Sequence, residues 1–268
     1  MFHVIVYGLE AAKETFAENR EMTLKSIKDH FYFPHNLTVV SPGGINGVFL
    51  DQLVSKFLIK YEHIESGNIP ETMNAAIRNS GAQTKYILIM AVGMILSRNL
   101  DQRFHQTINS KTLAAAAFKI VDRNDSIIHA GNDKDVFPFT RYYLQKDRNS
   151  FGPAVERVSR LPMEFILMRR DAFNAVGDFS TDFPQFGWEG EWCKRALEKK
   201  QCLYYIPVKV LLMGPISTVM EKHYRDLKAA QEKVPEAQEK ESAKEEISIK
   251  ASGKRGRPPG KRGKAHAR

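Results

Sequence analysis

Two glutamates enclosed by two tryptophans are the residues best suited to chemistry in this chain. Glu189 and Glu191 lie in the segment WEGEW, residues 188–192. A carboxylate packed against an indole is partly desolvated, which raises its pKa and suits a general base that works near neutral pH. An exposed tryptophan ring also offers a flat surface on which a sugar or a base stacks. The segment predicts Glu189 and Glu191 as catalytic residues and Trp188 as an acceptor-binding residue.

A structural interpretation competes with catalysis for both glutamates. An acid in the first turn of a helix is stabilised by the helix dipole, and Trp192 has the spacing of a core residue. For Glu191 this interpretation is the stronger one. For Glu189 the sequence supports a catalytic role and a structural role equally.

A pair of arginines, Arg169 and Arg170, follows the apolar run FILM and marks the end of a predicted strand. A guanidinium binds carboxylates and phosphates through the same bidentate contacts. The pair therefore either forms ion pairs with neighbouring acids or neutralises a diphosphate.

These residues must be positioned by elements that the apolar spacing indicates. The first ninety residues alternate strand-like and helix-like patterns, which is typical of a parallel α/β sheet with right-handed crossovers. Ligands of such sheets bind beyond the carboxyl ends of the strands. The stretch 112–121, TLAAAAFKIV, fits either a strand or a helix. The predicted strands are Val4–Tyr7, Leu37–Val40 and Tyr86–Met90, and the predicted helices cover about 17–30, 48–61 and 70–81.

The order of these parts resembles the family 2 glycosyltransferases. The resemblance rests on three segments: LTVVSPGGINGV, NAAIRNSGAQTKYILIM, and the run from Phe165 to Pro207. It covers most of residues 1–215 and implies an α/β, GT-A-like (Rossmann-like) fold, a mostly parallel sheet flanked by helices. It also implies transfer of a sugar from a nucleotide diphosphate donor. Glu189 falls at the family's base position and Glu191 at the second acid of the same motif.

The resemblance also indicates how a nucleotide sugar would be held. Arg78 and Asn79 fall on the family's Ala-Arg-Asn-x-Gly segment. Together with Arg169 and Arg170 they are predicted to bind the donor.

The sequence departs from the family where the metal is usually held. The family places Asp-x-Asp after its central strand, and this chain has Ala91-Val92-Gly93 there. The acids that grip the nucleoside after the second strand are replaced by Ser41 and Asn46, and the segment LLMGPIST lacks the family's further histidine. Oxygen ligands are what Mg²⁺ and Mn²⁺ require. A divalent cation is therefore not expected in the family's usual site.

The end of the chain is strongly basic. Residues 250–268 carry eight lysines and arginines and no acid, and removing those eight charges from the net charge of +9 leaves +1. Within them, Arg255-Gly256-Arg257-Pro258 resembles the AT-hook, whose glycine and proline keep the backbone extended while two arginines enter the narrow minor groove of A/T-rich DNA. A nonspecific basic tail for RNA, DNA or a membrane surface, or a localisation signal, is the competing interpretation.

Three regions are predicted. Residues 1–218 form the glycosyltransferase-like domain, 219–249 a charged, partly helical linker, and 250–268 a disordered basic tail. No stretch approaches the roughly twenty apolar residues of a membrane helix, and the N-terminus lacks a signal-peptide pattern. The cysteines Cys193 and Cys202 match no metal-ligand spacing and are interpreted as reduced core thiols. The expected location is intracellular and soluble: cytoplasm or nucleoid, or a nucleus if eukaryotic.

Two functions follow from the sequence. The first is an atypical, metal-independent glycosyltransferase that uses a nucleotide sugar and acts on DNA or a DNA-associated acceptor. The second is a catalytically inactive protein of the same fold that binds DNA, or acts as a scaffold, through its tail. The vacant metal motif favours the second, and Glu189 favours the first.

Overall fold

The computed structural model describes residues 1–8, 17–41, 47–57, 61–65, 67–96, 107–110, 112–125, 127–129, 154–162, 164–183 and 187–213. The described residues lie within one compact unit, Met1–Pro215. The predicted linker, the AT-hook-like residues Arg255–Pro258 and Asn46 all lie outside the described residues. None of the described helices is long and apolar enough to cross a membrane.

A single mixed sheet organises the described part of the chain. Its strand order is β3-β2-β1-β4-β9-β6-β10-β5, with β7 added beside β6 and β8 beside β10. The strands are β1 Phe2–Tyr7, β2 His35–Val40, β3 Tyr61–Ile64, β4 Tyr86–Ala91, β5 Met94–Leu96, β6 Leu113–Val121, β7 Ile127–His129, β8 Glu156–Val158, β9 Phe165–Arg169 and β10 Cys202–Leu212.

Helices connect the strands along the chain. They are α1 Ala17–His30, α2 Gly47–Ser55, α3 Ile69–Asn79, α4 Arg170–Val176 and α5 Trp188–Glu198. The start of α3 shows why these bounds arise: Asn68 accepts a hydrogen bond from the Glu71 N–H (2.9 Å), and Pro70 stands in the first turn. Both are favoured positions for these residue types.

The direction of the strands defines two ends of the sheet. Strands β1, β2, β3 and β4 are parallel, and β6 and β10 run the same way. Their last residues, among them Tyr7, Val40 and Ala91, mark the carboxyl-terminal end of the sheet. Strand β9 runs antiparallel to β4 and β6, so it starts at the carboxyl-terminal end and finishes at the amino-terminal end.

Burial accounts for the strand at 113–121. Ala114, Ala115, Ala116 and Ala117 are all fully buried, and β6 lies between β9 and β10. Small side chains on both faces let the covering elements approach closely, a requirement that residue spacing does not reveal. The ambiguous stretch is therefore a central strand.

The predicted helix over 48–61 is too long. Helix α2 ends at Ser55, and Tyr61 begins the short strand β3 at the outer side of the sheet. This strand is only partly buried and carries Glu62 and His63, so it lacks the apolar run that would have marked it.

Candidate functional site

The carboxyl-terminal end of β4 is where the family resemblance would place a cation. Ala91 is the last residue of β4, and its N–H donates to the Glu164 carbonyl oxygen (2.8 Å). The Val92 N–H donates to the Tyr7 carbonyl oxygen (2.9 Å), which ties the turn to the end of β1. The backbone of this turn is thus bonded to the strands on either side.

Gly93 leaves little room for a ligating side chain. Its N–H donates to Thr23 Oγ1 and its carbonyl accepts from the Met213 N–H, both at 2.8 Å. Its φ is +91°, and a Cβ there would lie 3.1 Å from the Met213 carbonyl oxygen. L-residues with side chains rarely adopt such a φ. The third position of the motif is therefore a packed junction, and these residues do not fit a divalent cation.

The described residues offer no substitute cluster for the missing aspartates. No group of three or more His, Cys, Asp or Glu side chains within them is arranged to hold a metal ion. Ser41, at the family's nucleoside position, is buried, and its hydroxyl lies 2.5 Å from His63 Nε2. The Ser41–His63 pair stands where the family has acids.

Glu189 lies at the start of α5. This helix is followed by β10, which begins at the amino-terminal end of the sheet, so α5 runs opposite to β10 and its first turn lies towards the carboxyl-terminal end. The side chain is buried, and Glu189 Oε2 accepts a hydrogen bond from the Gly187 N–H (3.1 Å). Burial raises the pKa of the Glu189 carboxyl, while the Arg160 charge and nearby backbone N–H groups oppose the rise. The direction is the one that a general base near neutral pH requires.

Arg160 is the charged neighbour of Glu189. Its side chain is 8% exposed, and Arg160 Nη2 lies 4.0 Å from Glu189 Oε1. The guanidinium rests on Gly190, where an added Cβ would collide with Nη2 and lie 2.6 Å from Cζ. Arg160 is not predictable from the sequence, because the segment around it shows no regular spacing. The one sequence feature that points to this contact is Gly190, a glycine between two acids at the start of a helix.

Trp188 is not available as a stacking surface. It is fully buried, and its ring packs edge-on against Phe179 with the centroids 4.5 Å apart. Phe173 and Trp192 complete this aromatic cluster, and Trp192 Nε1 donates to the Gly177 carbonyl oxygen (3.0 Å). The placement contradicts the predicted exposed acceptor platform, since a tryptophan in the first turn of α5 turns towards the core.

Glu191 forms an ion pair within its own helix. Its two carboxylate oxygens accept from Arg195 Nε and Nη2, at 2.6 and 2.8 Å. Arg195 also donates to the Val176 and Asp178 carbonyl oxygens, at 2.9 and 2.6 Å. These contacts fasten α5 to the end of α4 and support the structural interpretation of Glu191 over the catalytic one.

The four predicted donor-binding residues lie at the opposite end of the sheet. Arg169 pairs with Tyr86 at the start of β4, and the Arg170 N–H donates to the Lys85 carbonyl oxygen. Arg170 also donates to the Arg78 and Gly81 carbonyl oxygens and so brings Arg169, Arg170 and the end of α3 together.

Each of these four side chains has a protein partner. Arg78 pairs with Asp178, Arg169 pairs with Asp171, and Asn79 Nδ2 lies 3.4 Å from Glu62 Oε1. Ligands of such sheets bind at the carboxyl ends of the strands. Their position therefore argues against the predicted donor-binding role, although Arg169 and Arg170 do line a cavity of about 650 Å³ at the amino-terminal end.

Comparison with known proteins identifies the fold. No protein-family model matches the chain, and no curated protein does. Among solved structures, GalNAc-T7 with UDP, GalNAc and Mn²⁺ matches with a TM-score of 0.61 at 10% identity, over 81% of this chain and 44% of that one. Residues 1–349 of S. aureus TarS match with a TM-score of 0.52 at 15% identity, over 80% of this chain and 60% of that one.

These matches show the fold: the chain has the GT-A glycosyltransferase fold, as its sequence predicts. It spans roughly half the length of the two solved chains it resembles. Within that fold the chain has a glycine junction at the motif position and a buried Arg160–Glu189 pair at the start of α5.

Proposed function

We propose that this chain is a nucleotide-sugar-dependent, family 2-like glycosyltransferase that works without the family's usual cation. Glu189 carries the proposal. It is a buried carboxyl with a raised pKa at the carboxyl-terminal end of a GT-A sheet, the end at which such sheets bind ligands.

The proposed chemistry is a displacement at the anomeric carbon of the donor. The acceptor hydroxyl oxygen forms the new bond to that carbon, the bond to the diphosphate oxygen breaks, and the hydroxyl proton passes to Glu189 Oε1 or Oε2. A carboxyl whose pKa is raised towards neutral accepts that proton more readily than an ordinary one. The diphosphate leaves with both electrons of the broken bond.

Donor binding tests the proposal directly. The titration ligands are UDP-, GDP- and TDP-sugars, because the solved GalNAc-T7 structure contains UDP and GalNAc. We expect calorimetry to record binding of at least one donor, with the same affinity in EDTA and in Mn²⁺. Glu189→Gln should keep that binding and slow donor turnover about 10²–10⁴-fold, the usual contribution of a general base. Absence of heat with every donor would overturn the enzyme proposal.

We further propose that the acceptor is DNA or a DNA-associated group. The support is the sequence of the tail, in which Arg255-Gly256-Arg257-Pro258 stands among further basic residues without acids. Arginines in a narrow minor groove and lysines on phosphates hold a protein on A/T-rich duplex. A tethered domain would then meet its acceptor at a raised local concentration.

Deleting residues 250–268 should weaken binding to an A/T-rich duplex at least tenfold. Removing eight positive charges reduces the number of phosphates neutralised, so the dependence of affinity on salt concentration should also become shallower. Gel shifts of the intact and truncated proteins at several salt concentrations measure both. A matched variant with Arg255 and Arg257 replaced by lysine keeps the charge and separates the AT-hook arrangement from charge alone. An unchanged shift after deletion refutes the tail assignment.

A binding protein without catalysis is the second candidate function, and the packed junction at Gly93 favours it. The two candidates differ in one measurement. Incubation of hydroxymethylated DNA with the protein and a mixture of donors should increase the mass of the DNA if the chain is an enzyme. DNA that is bound but unchanged in mass supports the binding protein.

A further inference from the structure

We propose that Arg160, seated on the bare backbone of Gly190 at the start of α5, binds the diphosphate of the donor in place of a divalent cation. This inference rests on the proposed function, since it names the group that would offset the negative charge of that donor. It assigns a ligand-binding role to a residue outside every motif that the sequence indicates.

A positive charge is required at this end of the sheet. A nucleotide diphosphate is a polyanion, and its charge must be matched by a cation or by protein side chains when it leaves water. Ala91 and Gly93 have no side chain that can bind a cation, and a side chain at Gly93 would be crowded by the Met213 carbonyl oxygen. A guanidinium meets the need because its planar fork binds two phosphate oxygens and keeps its charge at every working pH.

The position of Arg160 is built into the fold. Gly190 is a helical residue with an ordinary backbone conformation, so no conformational demand explains the glycine. The space that a Cβ would occupy is filled by the guanidinium, with Cζ at 2.6 Å and Nε at 2.8 Å from the Cβ position. The missing side chain is what lets Arg160 lie flat on the first turn of α5.

Two observations describe the position of Arg160. Along the chain it stands between Val158, which pairs with Leu203 on β10, and Glu164, whose carbonyl accepts the Ala91 N–H. Across space it lies 4.0 Å from Glu189. The positive end of the α5 dipole adds to its attraction for an anion.

The test compares four proteins by calorimetry in EDTA: wild type, Arg160→Lys, Gly190→Ala and Arg170→Lys. The titration ligands are UDP, inorganic pyrophosphate and uridine. Arg160→Lys keeps a positive charge beside Glu189, and Gly190→Ala displaces the guanidinium without changing any charge. Arg170→Lys is the matched control, since Arg170 lies at the opposite end of the sheet. Thermal unfolding confirms that each variant is folded.

We expect Arg160→Lys and Gly190→Ala each to weaken UDP and pyrophosphate about tenfold or more, because an ammonium, or a displaced guanidinium, loses the bidentate contact. Uridine affinity should stay unchanged in both, and Arg170→Lys should bind all ligands as wild type does. If wild type binds UDP in EDTA and both variants bind it equally well, the inference is wrong while the proposed function stands. If wild type binds none of the ligands, both the inference about Arg160 and the proposed function are wrong.

Discussion

Alanine in place of Gly93 is expected to lower the free energy of unfolding by about 2–5 kcal/mol. Two costs add there. The φ of +91° disfavours any residue with a Cβ by about 1–2 kcal/mol, and forcing that Cβ to within 3.1 Å of the Met213 carbonyl oxygen costs about 1–3 kcal/mol more. Equilibrium unfolding in urea measures the sum.

Other glycines of the chain separate the two costs. Gly81 has a φ of +79° with open space around its Cβ position, so Gly81→Ala reports the backbone cost alone. Gly47 has neither a positive φ nor a close neighbour, and Gly47→Ala should be neutral or stabilise by about 0.5–1 kcal/mol. The difference between Gly93→Ala and Gly81→Ala is the crowding at the junction. A Gly93→Ala variant no less stable than Gly81→Ala would contradict the packed junction.

The same geometry predicts what happens when the motif is restored. Ala91→Asp combined with Gly93→Asp recreates the aspartates of the family, but the second one meets the crowding and the unfavourable φ at position 93. We expect the double variant to be at least as destabilised as Gly93→Ala and to show no stabilisation on adding Mn²⁺. A rise in its midpoint of unfolding with Mn²⁺ would show that the turn can open to hold a cation.

The parallel half of the fold was predictable because local signals are strong there. Strands β1, β2 and β4 are apolar runs between turn formers, and α3 carries a capping residue and an early proline. Alternation of such elements leaves few topologies. The prediction that ligands belong at the carboxyl ends followed from topology.

The side chains of the site were harder to predict for two physical reasons. The residues of β9 do not reveal whether the strand is parallel or antiparallel to its neighbours. Because it is antiparallel, Arg169 lies at the amino-terminal end of the sheet, whereas in a parallel strand it would lie at the carboxyl-terminal end, near the site. Arg160 and Gly190 lie thirty positions apart and match only in three dimensions. Trp188 was misplaced because its position beside two acids says nothing of the aromatic cluster that buries it.

Asn74 is expected to be the second residue whose replacement strongly destabilises the protein. Its two hydrogen bonds to Phe179, called the Asn74 clamp below, connect α3 to the segment that leads into α5. Its Nδ2 donates to the Phe179 carbonyl oxygen and its Oδ1 accepts from the Phe179 N–H, both at 2.9 Å, and the side chain is buried. Asn74→Ala leaves both backbone groups of Phe179 without partners. At about 1–3 kcal/mol for each buried group, we expect a loss of about 2–6 kcal/mol in the free energy of unfolding.

Asn79→Ala is the matched control on the same helix. Asn79 is exposed, and its contact with Glu62 is long at 3.4 Å, so its removal should change stability by less than about 0.5 kcal/mol. Equal unfolding midpoints for Asn74→Ala and Asn79→Ala would show that the Asn74–Phe179 hydrogen bonds do not stabilise the fold. Asn74→Asp adds a further comparison, because it keeps the acceptor for the Phe179 N–H but loses the donor and buries a charge. It should be at least as unstable as Asn74→Ala at neutral pH.

The Asn74 clamp also links stability to the proposed base. The Phe179 ring packs on Trp188, which directly precedes Glu189 in the first turn of α5. If Phe179 loosens, Trp188 becomes hydrated, and its fluorescence emission should shift to longer wavelength in folded Asn74→Ala but not in Asn79→Ala. A general base loses efficiency when its carboxyl moves by even about 1 Å. Donor turnover should therefore fall in Asn74→Ala even at temperatures where the protein remains folded, while UDP affinity, which we assign to Arg160, falls less.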